Sequence, residues 1–184
     1  ATAGTITNTD AFIAATDLRA LTVNVAGGTN SGVIDAGATT ATVNITGATT
    51  TLGANSAFAA ATTLNLNTSA VLTAGTITAN AATTVNINAA SNITANTITS
   101  NAATAINISG AGNLVAYTQN GAAAAVITNS GTGNVTLVTD IAAGQQYVGG
   151  AGVDTVSFAQ TGTTASTLGA GNDVATFAAV AGAG

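Results

Sequence analysis

Thr84-Val85-Asn86-Ile87 is one copy of a phrase that also occurs as Thr22-Val23-Asn24-Val25, Thr42-Val43-Asn44-Ile45, Thr63-Leu64-Asn65-Leu66 and Ala105-Ile106-Asn107-Ile108. A weaker sixth copy begins near Ile127. The first apolar residue of each copy falls at 23, 43, 64, 85, 106 and 127, in steps of 20, 21, 21, 21 and 21. A second phrase keeps the same beat. Leu72, Ile93, Leu114 and Val135 are each 21 residues apart, and Thr76-Ile77-Thr78 returns as Thr97-Ile98-Thr99. Within each phrase apolar and polar residues alternate, with branched side chains at the apolar positions, as in a strand buried on one face.

A unit of about 21 residues built from short strands and turns cannot bury its own apolar face, so copies must stack. Stacked at roughly 4.8 Å per coil, they form an all-β fold, a parallel β-solenoid (β-helix). Val23, Val43, Leu64, Val85 and Ile106 are then expected to form one internal column, and Val25, Ile45, Leu66, Ile87 and Ile108 the next. Asn24, Asn44, Asn65, Asn86 and Asn107 should stack outside, each amide donating to one neighbour and accepting from the other. Such a column is either polar facing of good ladder geometry or a recognition surface. The Ala-rich pieces at 57–61 and 122–125 are shorter than the roughly 12 residues of a marginal isolated helix. Asn120-Gly121 would ordinarily mark a hairpin, but the period puts it at a coil corner.

Composition agrees with that reading and removes most chemistry. The 184 residues include 1 basic and 6 acidic side chains and no His, Cys, Met, Pro or Trp; charged residues make up 4 %. Like charges stacked directly opposite one another repel, so a ladder protein is expected to be poor in them. Without His, Cys or Lys the chain has no catalytic triad, zinc site of nitrogen or sulfur ligands, Schiff base or phosphate-loop lysine, and we read it as not an enzyme. A formal charge of −5 opposes nucleic acid, whose binding rests on Lys and Arg. No apolar run is long enough to span a bilayer. The absence of thiols suits an oxidising exterior, and no leader-like segment opens the chain at Ala1.

All six acids are Asp, which leaves oxygen ligation of a hard cation as the available metal chemistry. Near the C-terminal end Gly149-Gly150-Ala151-Gly152-Val153-Asp154-Thr155-Val156-Ser157 fits the calcium-binding nonapeptide G-G-x-G-x-D-x-U-x. Leu168-Gly169-Ala170-Gly171-Asn172-Asp173-Val174-Ala175-Thr176 is a second copy with Leu168 for the first glycine and Ala175 for the large apolar residue. Glycines let the backbone turn its carbonyls toward one point, and the Asp returns a carboxylate there. Calcium takes six to eight oxygens, so one turn is too few. Two turns on the same flank, with Asp154 and Asp173 19 residues apart, can complete a site. The alternative is two ordinary glycine turns with a capping Asp.

The pairs Gly110/Gly112, Gly131/Gly133, Gly150/Gly152 and Gly169/Gly171 step by 21, 19 and 19 residues. The calcium turns therefore continue the solenoid, and earlier coils, with Leu114 and Val135 at the Asp position, close without metal. Asp35 and Asp140 are expected to serve turns. Asp17 is placed to pair with Arg19, and Asp10 lies in the same irregular stretch. The organisation expected is an atypical first coil or junction over 1–20, solenoid repeats over 21–148, and calcium-binding coils over 149–184. The Thr-x-Thr segments are similar to ice-binding arrays, but only the rungs at 76/78 and 97/99 align.

On these nonapeptides, the Ala/Thr/Gly/Asn bias and the T-V-N-I repeats, the chain resembles the type I secreted RTX proteins. Among them it is most similar to bacterial surface-layer proteins of the Caulobacter kind. It departs from them in having two nonapeptides only, one imperfect, and no evident C-terminal secretion signal. The resemblance implies secretion in an unfolded state, folding outside the cell on meeting Ca2+, and assembly into a cell-surface sheet. The expected function is a calcium-clamped structural segment of a surface layer (S-layer) or filament. Its partners would be other copies of itself, calcium, and cell-surface polysaccharide. The alternatives are an adhesin stalk, an ice- or glycan-binding module, or the appendage of a secreted enzyme.

Overall fold

The structure is a computed structural model that describes residues 3–8, 13–15, 19–30, 33–35, 37–47, 50–159 and 165–178. It is a parallel β-solenoid of about seven turns with coils of about 21 residues. Among the described residues there is no helix, and the strands form two sheets of eight and eleven. The first sheet stacks Ala3–Asn8, Ala20–Val25, Thr40–Ile45, Thr63–Thr68, Thr84–Ala89, Ala105–Ser109, Val126–Asn129 and Gln146–Val148. The second runs from Ile13–Ala15 through Val33–Asp35, Thr50–Phe58, Leu72–Thr78, Ile93–Thr99, Leu114–Tyr117, Val135–Leu137 and Asp154–Phe158 to Val174–Phe177, with the short strands Thr29–Asn30 and Gln119–Asn120 pairing off this path with Thr50–Phe58 and Ile93–Thr99. Neighbouring strands pair in parallel, so their backbone hydrogen bonds run along the stack from coil to coil.

The alternation reads directly as burial. In Ala20–Val25, Thr40–Ile45 and Thr63–Thr68 every second residue is buried, and the Ala-rich stretches are strand and turn. Asn120 ends a short strand that pairs in parallel with Ile93–Thr99, so Asn120-Gly121 does lie at a corner. Corners are tied by hydroxyls. Thr62, Thr83 and Thr104 each donate through Oγ1 to the carbonyl of Thr39, Thr62 and Thr83 one coil back, at 3.0, 3.3 and 3.4 Å.

The register differs from the expected columns in one place. Successive coils of the first sheet advance by 17, 20, 23, 21, 21, 21 and 20 residues. The step of 23 pairs Val43 with Leu66 and Ala41 with Leu64, two residues away from the alignment of the phrases. One interior column is therefore Leu21, Ala41, Leu64, Val85, Ile106, Ile127 and Tyr147; the next is Val23, Val43, Leu66, Ile87, Ile108 and Asn129. A slip of two is the smallest that keeps each side chain on its own face.

The slip also splits the asparagine column. Asn44 donates to Asn24 (2.8 Å) and Asn67 to Asn44 (2.9 Å), while beside them Asn86 donates to Asn65 and Asn107 to Asn86, both at 2.8 Å. Asn65 finds Thr42 Oγ1 at 3.2 Å instead of Asn44. The column expected to be single is thus two adjoining columns, each continuous because Asn alternates with apolar residues on both sides of the slip.

Candidate metal centre

Glycine turns stack at the corner that leads from the first sheet into the second. Thr132, Ala151 and Ala170 donate their N–H groups to the carbonyls of Gly110, Gly131 and Gly150, at 2.9, 3.1 and 2.8 Å. A Cβ on Gly150 would stand 2.5 Å from the Gly131 carbonyl oxygen, and one on Gly169 would lie against that of Gly150. The four G-x-G turns thus share one column with no room for side chains between coils.

The residue that follows this corner forms a second column: Leu72, Ile93, Leu114, Val135 and then Asp154. Upstream, a backbone carbonyl closes each rung. Leu72, Ile93 and Leu114 donate to the carbonyls of Asn92, Asn113 and Asn134 at 3.0, 2.8 and 2.9 Å. From Val135 onward a carboxylate takes that place, with Val135 N donating to Asp154 Oδ1 (3.1 Å) and Asp154 N to Asp173 Oδ1 (2.9 Å). The change coincides with the shortening of the coil to 19 residues, from Val135 to Asp154 and from Thr155 to Val174.

Asp154 is fully enclosed. Asn129 Nδ2 donates to its two oxygens at 3.2 and 3.4 Å, and Gly150 N reaches Oδ2 at 3.3 Å. The Tyr147 hydroxyl lies beside the carboxylate without reaching hydrogen-bond geometry, and it is buried with no partner. Desolvation holds the Asp154 carboxyl above the usual carboxylate range, and these neighbouring donors offset it only in part. Burial first, and the Asp154 charge second, push the Tyr147 phenol far above its ordinary value.

The remaining oxygens gather around the glycines. At the place of a Gly149 Cβ stand the Leu168 carbonyl oxygen and, 2.8 Å away, Asp154 Oδ2. At the place of a Gly169 Cβ stand the carbonyl oxygens of Gly150 and, at 2.6 Å, Gly149. Beside Gly171, whose φ is 135°, the Gly152 carbonyl oxygen and Asp173 Oδ1 are 2.5 and 3.0 Å from the Cβ position. Among the described residues no three acids or other ligating side chains converge, so backbone carbonyls must supply most of any coordination. An oxygen-only set of this kind fits a hard divalent cation. When bound, such an ion would neutralise the Asp154 charge and tie its coil to that of Asp173.

The structure therefore brings Gly149, Gly150, Ala151, Gly152 and Asp154 against Leu168, Gly169, Ala170, Gly171 and Asp173 in two adjacent turns. Ala151 and Ala170 are exposed and contribute their N–H groups to the ladder. The Leu168 side chain packs on the core while its carbonyl faces Gly149. Asp140 is exposed at a turn; Asp35 closes a strand; Asp10 and Asp17 lie outside the described residues. Within 1–20, Ala3–Asn8 pairs in register with Ala20–Val25 and Ile13–Ala15 with Val33–Asp35.

Two residues of the site carry no motif. Asn129 occupies the interior column of Ile108, and Tyr147 that of Ile127. The signal was a polar or hydroxyl-bearing residue at a position where the alternation demands a plain apolar one. Compared with protein-family models, curated proteins and solved structures, the chain matches none.

Proposed function

We propose that this chain is a structural β-solenoid segment of a self-assembling extracellular surface-layer or filament protein, clamped at its C-terminal coils by calcium. One observation carries the reading. The interior column of Leu72, Ile93, Leu114 and Val135 ends in a buried carboxylate, and Asp173 on the next coil accepts the Asp154 N–H through Oδ1. A buried anion without a cation is costly, and the surrounding oxygens offer a cation a place. The RTX-like spelling of both turns supports the same reading, including export before folding and assembly at the cell surface. Binding free energy then becomes folding free energy for the coils after about residue 149.

Chelation tests it. Thermal melting and electron microscopy of the purified protein with calcium should show a higher melting temperature and ordered arrays or filaments, both lost with chelator. Identical melting and morphology in the two conditions would sink the proposal. A second reading rests on the groove lined by Asn24, Asn44, Asn67, Asn88, Thr46 and Ser69, an uncharged amide and hydroxyl surface suited to a cell-surface polysaccharide. Retention of the monomer on immobilised surface polysaccharide, weakened by Asn44→Ala, would favour it.

A further inference from the structure

The most unusual polar group in the interior is the Tyr147 hydroxyl. It is fully buried and makes no hydrogen bond, although such a group ordinarily finds a partner. It lies beside the Asp154 carboxylate of the first nonapeptide turn, and the charges of both Asp154 and Asp173 bear on it. Tyr117 makes a natural comparison. Its hydroxyl is equally buried and unpartnered, but no acid bears on it and desolvation alone acts there.

The two oxygens of Asp154 are unequally held. Its Oδ1 holds the Val135 rung at 3.1 Å, whereas Oδ2 has only the longer approaches of Gly150 N and Asn129 Nδ2 at 3.3 and 3.4 Å. Asn129 cannot turn its amide round without cost, because its Oδ1 accepts from Gly131 N at 3.0 Å. The Tyr147 hydroxyl thus lies beside a carboxylate whose Oδ2 is the more loosely held oxygen, with Asn129 fixing how Asp154 is turned.

We propose that Tyr147 is a ligating side chain of the cation site, closing it from inside the solenoid, and that Asn129 is its positioning residue. This rests on the calcium reading above but adds two residues that lie outside both nonapeptides and come from the opposite sheet. The site is then assembled by three coils: Asn129 from one, Tyr147 and Asp154 from the next, Asp173 from the last. A calcium ion held there senses whether all three are stacked, which a pair of turns on one flank would not.

The chain has two tyrosines and no Trp, so its own emission reports on the site. In Tyr117→Phe the sole tyrosine is Tyr147, and calcium titration should change its emission in step with the rise in melting temperature. Tyr147→Phe, followed by melting, should need about tenfold more calcium for the same rise, the equivalent of one good interaction, while its melting temperature in chelator should not fall. Asn129→Ala should also raise the calcium midpoint. A rise in melting temperature for Tyr117→Phe without any change in emission would overturn the proposal, as would a Tyr147→Phe midpoint equal to wild type. If calcium alters neither melting nor emission in the wild-type protein, the calcium reading itself fails.

Discussion

Substituting Gly133 by Ala isolates what holds one coil on the next, away from any metal. A Cβ there would lie against the Gly112 carbonyl oxygen, 2.6 Å from its carbonyl carbon and 3.1 Å from that of Ala111. All three atoms are backbone, so no side chain can swing aside and the coils must part. Parting them weakens Thr132 N and Gly133 N on the Gly110 carbonyl, at 2.9 and 3.3 Å, and Asn134 N on Asn113 Oδ1, at 3.0 Å. Overpacking costs about 1–3 kcal/mol, and loss of the three hydrogen bonds, at about 0.5–1.5 kcal/mol each, would add about 1.5–4.5 kcal/mol. The expected loss is therefore about 2.5–7.5 kcal/mol, toward the lower end if the bonds are only weakened. Gly121→Ala is the control, because its Cβ would meet nothing closer than the Ala125 Cβ, Ile106 Cδ1 and Ala103 carbonyl oxygen at 3.1, 3.2 and 3.3 Å, contacts that a shift of a few tenths of an ångström relieves. It should cost less than about 1 kcal/mol. Urea unfolding gives the totals, and amide exchange should show protection lost first around 110–137, because each coil contacts only its neighbours. A Gly133→Ala protein as stable as the control would refute the close stacking of the glycine turns.

Other substitutions test the register and the charge. A double-mutant cycle between Asn44→Ala and Asn67→Ala should show coupling of about 0.5–1.5 kcal/mol, while the cycle between Asn44→Ala and Asn65→Ala should show almost none; the reverse result would restore the unslipped register. Ile87→Ala, in the interior column, should lose about 2–5 kcal/mol in urea unfolding, and a loss below about 1 kcal/mol would deny that the position is packed. Asp154 binds its proton more tightly folded than unfolded, so in chelator its contribution should be present below the ordinary carboxylate pKa and lost as pH rises through the raised one. Melting temperatures of wild type relative to Asp154→Asn should therefore climb on acidification in chelator. With calcium the trend should reverse, because protons displace the ion.

How much could be read without coordinates is clearest at particular positions. The alternation in Thr84–Ala89 marked Val85 and Ile87 as inward, and both are buried. The G-x-G spacing placed the four turns in one column, and they stack there. The pairing of Val43 escaped, since matching phrases align it with Leu64 while the strands align it with Leu66. Asn129 and Tyr147 escaped as well, being 25 and 7 residues from Asp154 in sequence and brought to it only by stacking and by closure of the lumen.

The amino-acid sequence by itself determined the architecture: a period near 21 requires stacking, and a period of two within each phrase decides which side chains face in. It also determined that Asp154 and Asp173 share a flank, because each stands at the same offset from its glycine turn. Only the tertiary structure decided the register between coils. A shift of two residues leaves every side chain on its own face, so the local pattern is blind to it, and the choice falls to packing and amide pairing between neighbours. The tertiary structure likewise decided that Asp154 points inward to Asn129 and Tyr147. Once the carboxylate carried a rung of the ladder through Val135 N, it had to lie inside the wall, where the residues it meets belong to other coils.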